Sequence, residues 1–106
     1  MTHDYDGQRQ ETFDTFAEAG PGLPRSAVVD FIFFVEETDA DWAAFEKALR
    51  AKGFTTRRLD DDETLVASYG PMPVTPEAVW AQERLATEIA LRHDFYPDGW
   101  DLDENA

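Results

Sequence analysis

Ten residues, Ala27 to Glu36, constrain this chain more than any others: they read Ala-Val-Val-Asp-Phe-Ile-Phe-Phe-Val-Glu, a run rich in β-branched and aromatic side chains. At the two-residue period of a strand, Ala27, Val29, Phe31, Phe33 and Val35 share one face, and all five are apolar. The run is therefore read as a central strand whose odd face meets the core. The even positions Val28, Asp30, Ile32, Phe34 and Glu36 are only half apolar and ask for a cover. The chain's own N-terminal segment is the simplest one, and a partner surface is the alternative.

The segments on either side read as helices and strands that could pack on this run. Residues 1–10 hold little apolar content and are read as a mobile N-terminus, leaving 11–106 as a single α+β domain. Phe13, Phe16 and Ala17 form one stripe on a helix from Glu11 to Ala19, which Gly20-Pro21-Gly22 stops. After the strand, Thr38 offers an N-cap, and Asp39 and Asp41 place negative charge on the first turn of a helix ending at Lys52. Trp42, Phe45, Ala48 and Leu49 are its apolar positions.

Phe54–Leu59 and Thr64–Tyr69 are β-prone runs on either side of Asp60-Asp61-Asp62-Glu63 and predict a hairpin. Two prolines and a glycine in Gly70-Pro71-Met72-Pro73-Val74 predict an irregular linker. Thr75 then caps a helix beginning with Pro76 and running to about His93. Its core arc is read as Ala78, Ala81, Leu85, Ala86 and Ile89, with Trp80, Arg84, Thr87 and Leu91 on the far side. That second stripe also needs a cover, taken first as the N-terminal helix or the C-terminal tail and second as a partner.

At 106 residues, one core that buries about 65% of the unfolded surface is expected. With no cysteine, thiol catalysis, disulfides and Cys-based metal sites are excluded. No stretch has the length of an apolar membrane span and the N-terminus does not read as a signal peptide, so a cytoplasmic protein is expected. Lys and Arg number 9 against 23 Asp and Glu, a formal charge of −14 that repels phosphate backbones and anionic lipid. Neither a nucleic acid nor a membrane is thus an expected partner. A protein with a basic segment is, because an acidic surface raises its association rate.

Catalytic groups are sparse. His3 and His93 belong to no triad or metal motif, and the Asp60–Glu63 cluster lacks the alternating ligands of a calcium loop. No catalytic, cofactor-binding or metal-ligating residue is assigned. A non-enzymatic binding module is the first reading, and a small metal-dependent hydrolase or nuclease using acidic residues is the alternative.

The chain closes on Asp94-Phe95-Tyr96-Pro97-Asp98-Gly99-Trp100-Asp101-Leu102. With Leu23-Pro24-Arg25, Val29-Asp30-Phe31 and Lys52-Gly53-Phe54, this order of landmarks resembles the regulator of ribonuclease activity B family, the ribonuclease E inhibitors. Pro97 before Asp98 and the short acidic tail Asp101, Asp103, Glu104 are departures from the family pattern. The resemblance implies an α+β fold related to the ferredoxin-like one. The chain's own elements are read as a short N-terminal helix and then β-α-β-β-α, with room for a short last strand near Trp100, and a right-handed crossover predicts a single antiparallel sheet with two helices on one face. The implied partner is an endoribonuclease, and no cofactor is implied. Trp80, Arg84, Leu91, Asp98, Gly99, Trp100, Asp101, Asp103 and Glu104 are the expected partner-binding residues. For Trp100 the first reading is a lid on the core, after a turn in which Gly99 takes a positive φ.

Overall fold

The computed structural model describes residues 3–36 and 39–103. In chain order these form α1 (Tyr5–Ala19), a 3-10 turn (Gly20–Gly22), β1 (Ser26–Val35), α2 (Trp42–Ala51), β2 (Thr55–Arg58), β3 (Thr64–Pro73), α3 (Pro76–Arg92) and β4 (Phe95–Asp103). The four strands make one sheet in the order β2-β3-β1-β4, each neighbouring pair antiparallel. β1 is interior, as its apolar density requires, and β3 is inserted between β1 and β2.

The odd face of β1 is the core. Val29, Phe31 and Phe33 are at most 1% exposed and pack with Phe45 and Leu49 of α2 and with Val79, Ala86, Ile89 and Ala90 of α3. Edge-to-face rings join the layers, Phe33 to Phe45 at 5.6 Å and Phe31 to Phe54 at 6.1 Å, a geometry the ring quadrupoles favour. Phe95 of β4 closes the far end against Phe45 at 4.5 Å.

Several boundaries differ from the sequence expectation, each for a local reason. The expected Thr38 cap lies outside the described residues. Within them, the Asp41 carboxylate accepts from the Ala44 amide at 3.0 Å and opens α2 at Trp42. The Gly70–Val74 segment is not a linker, because β3 runs on through Pro73, pairing Met72 with Ala27 and Pro73 with Ser26. A register shift between Ala27 and Val29 absorbs the irregular residues as a bulge. The prolines are tolerated because β2 reaches only as far as Ser68, so this end of β3 has no second neighbour. Gly70, at φ +134°, is required there: a Cβ would lie 2.8 Å from the Ala27 carbonyl oxygen. The last strand is nine residues long and not merely a short piece near Trp100.

The largest differences concern α1 and α3. α1 begins at Tyr5 rather than Glu11, with the Asp4 carboxylate accepting from the Gly7 amide at 2.9 Å. It packs against α3. The N-terminal segment therefore does not cover the even face of β1, contrary to the simplest expectation. Under α1, the buried arc of α3 becomes Val79, Glu83, Ala86, Thr87, Ile89 and Ala90, whereas Ala81 is exposed. Covered on two sides, α3 buries two polar residues that an arc drawn through apolar positions alone passes over.

Candidate functional site on the last strand

β4 borders both layers of the protein, so its residues divide between them. Trp100 is opposite Phe31 and shares the core face. Its ring lies 5.5 Å from that of Phe16, and its indole Nε1 donates to Thr12 Oγ1 at 3.1 Å. Thr12 Oγ1 in turn donates to Glu83 Oε1, while Gln8 Nε2 donates to Glu83 Oε2 at 3.3 Å and to Thr87 Oγ1 at 3.0 Å. This network joins β4, α1 and α3. Among the described residues, every buried side-chain nitrogen or oxygen has a partner.

Glu83 is the unusual group in the network. Burial holds its carboxyl above the ordinary glutamate value, the Thr12 and Gln8 donors offset part of that rise, and nearby Glu11 adds to it. A shallow polar cleft of about 230 Å³ opens beside it, lined by His3, Asp4, Gln8, Glu11, Glu83 and Gly99 among others.

The expected partner-binding residues are thus scattered. Trp100 is a half-buried lid on the core, and Gly99, at φ +96°, lies not in the expected turn but within β4, where the register against β1 shifts as at a bulge. Asp98 and Gly99 are exposed where the β1–β4 register shifts between Phe31 and Phe33. Asp101 is opposite Asp30 and Asp103 opposite Val28, both on the even face of β1. Glu104 lies outside the described residues. Trp80, Arg84 and Leu91 are on α3, in the helical layer, where Trp80 and Leu91 are half-buried and the Arg84 guanidinium lies 5.2 Å over the Tyr5 ring. Thr87, the fourth member of that stripe, is fully buried. The stripe is therefore covered by α1 where Tyr5 and Gln8 reach it.

Sequence reasoning missed Tyr96 and Phe34 as a pair. Tyr96 is 37% exposed, and its ring lies 5.7 Å from Phe34, directly opposite on β1. The mixed even face of β1 was the signal for it.

The acidic turn is a local device. Asp61 accepts from the Glu63 and Thr64 amides and from the Thr64 hydroxyl, the last at 2.6 Å, and this hydroxyl chiefly holds its carboxyl below the ordinary value. Among the described residues, no three His, Asp or Glu side chains converge as a metal site would need, and no helix is long and apolar enough to cross a membrane.

A protein-family model described as regulator of ribonuclease activity B matches residues 6–102. The chain belongs to that family. The regulator of ribonuclease activity B match runs from α1 almost to the end of β4 and so takes in the helix as well as the four strands of this chain. No curated protein matches the chain.

Proposed function

We propose that this member of the regulator of ribonuclease activity B family is a non-enzymatic cytoplasmic protein that binds a basic segment of an endoribonuclease and lowers its activity, as the resemblance to ribonuclease E inhibitors implies. The family match over residues 6–102 carries the reading. A charge of −14 supports it, since such a field draws in a basic segment and repels RNA. The β1-α2-β2-β3-α3-β4 order is read as the ferredoxin-like arrangement, a scaffold that leaves one sheet face for contact.

Steering belongs to the carboxylates Asp98, Asp101 and Asp103 on β4, with Glu104 extending the run in sequence. Trp100 serves the fold through Phe16 and Thr12. Trp80, Arg84 and Leu91 would serve only a partner that reaches the helical layer.

The test is cleavage of a structured RNA by purified ribonuclease E with and without the protein. Slower cleavage with the protein present, together with no fragments when the protein is incubated alone with RNA and a divalent cation, is the expected result. Fragments from the protein alone that disappear with chelator would replace the regulator reading with a metal-dependent nuclease.

A further inference from the structure

The two faces of the sheet differ in what covers them. α2 and α3 pack on the face of Val29, Phe31 and Phe33, and α1 packs on α3. The opposite face carries Val28, Asp30, Ile32 and Phe34 from β1. Register adds Val66 and Ser68 from β3, Arg57 from β2, and Tyr96 and Asp101 from β4. Among the described residues, α1, α2 and α3 do not lie over it.

Its chemistry is divided along the strands. Ile32 pairs with Val66 and Phe34 with Tyr96, giving an apolar centre in which Val66 is only 4% exposed while Tyr96 is 37% exposed. Toward the other end Asp30 faces Asp101 on β4 and accepts from the Ser68 hydroxyl. Arg57 stands on the β2 side beside Val66. An apolar centre with a pair of carboxylates at one end fits a segment in which an apolar side chain is followed by lysine or arginine.

Charge selects the occupant. A second copy of this chain would bring another −14 against the same carboxylates, and anionic lipid or nucleic acid would meet the same repulsion. A basic protein segment is attracted by the charge and anchored by the rings. We infer that the open face of the sheet is the docking surface for such a segment, with Phe34 and Tyr96 receiving its apolar anchor and Asp30 and Asp101 its basic residues. This assignment rests on the regulator reading and locates its contact on the sheet, away from Trp80 and Leu91 of α3.

Binding of the purified endoribonuclease to wild-type protein and to Tyr96→Ala, Asp101→Lys, Trp80→Ala and Leu91→Ala, with thermal melts of each, tests it. Tyr96→Ala accelerates dissociation about 30-fold, as loss of a central aromatic contact does, with little change in melting. Asp101→Lys slows association several-fold at low salt, and the two α3 variants bind as wild type. In wild-type protein, the methyl resonances of Val28, Ile32 and Val66 shift on binding, which reads the face without any substitution. Normal binding by Tyr96→Ala with loss in Trp80→Ala, or methyl shifts confined to α3, would overturn the face while leaving the regulator reading in place. A homodimer that Tyr96→Ala dissolves would give the face to a second copy and overturn the assignment. Wild-type protein that does not bind the endoribonuclease at all would overturn both readings together.

Discussion

The indole nitrogen of Trp100 donates to the hydroxyl of Thr12 across 88 residues of sequence, so the last strand is tied to the first helix. Thr12 passes the contact on to Glu83. The helix that covers α3 and the strand at the sheet edge are therefore held by one polar chain, with the Phe16 ring packed beside it.

Removing that tie should cost stability. Trp100→Ala loses the Phe16 contact and the hydrogen bond, and because Trp100 is half-buried the expected loss is about 2 to 3 kcal/mol, below that of a fully buried aromatic. Trp100→Phe keeps a ring and loses the donor, for about 1 kcal/mol. Denaturant melts of the two variants check the order, and equal losses would show that the ring contributes nothing beyond its donor.

Glu83 should make stability depend on pH. Its folded value lies above the ordinary 4.5, so the protonated form is favoured on folding and the contribution is complete below 4.5. That contribution is lost as pH rises through the folded value. Relative to wild type, Glu83→Gln should therefore gain stability as pH climbs from 4.5 toward neutrality, measured by melting temperature across that range. A Glu83→Gln melting temperature that falls relative to wild type over the same interval would contradict the assignment.

The two faces of β1 should respond differently to truncation. Phe31 and Phe33 are each 1% exposed, and replacing either by Ala is expected to cost about 3 to 5 kcal/mol. Phe34, on the open face against Tyr96, should cost clearly less. Equal losses in all three would mean that something covers the even face in solution.

The alternation of Val29, Phe31 and Phe33 made the core face readable because burial on one side of a strand leaves a period-two record. No such record exists for Tyr5 to Gln10. That part of α1 meets its neighbour through the Arg84 guanidinium over Tyr5 and the hydrogen bonds of Gln8 to Glu83 and Thr87, so its packing leaves no apolar stripe. The same polarity hid Glu83 and Thr87 from the buried arc of α3. Pro71 and Pro73 read as a linker because the tolerance of a strand for proline depends on whether a neighbour needs the N–H, and β2 ends before them. Of the site, the carboxylates of β4 were legible in the chain, while the pairing of Phe34 with Tyr96 required the register of β1 against β4.

Steering of a basic partner segment by an acidic surface would make association depend on salt. The most direct measurement is the association rate of the purified protein with the endoribonuclease over a range of salt concentrations, for wild type and for a variant with Asp98, Asp101 and Asp103 reversed to lysine. Wild-type association is expected to fall steeply as salt rises, and the variant to associate more slowly at low salt with a shallower dependence. A wild-type rate that ignores salt, or a variant that associates as fast as wild type at low salt, would contradict it.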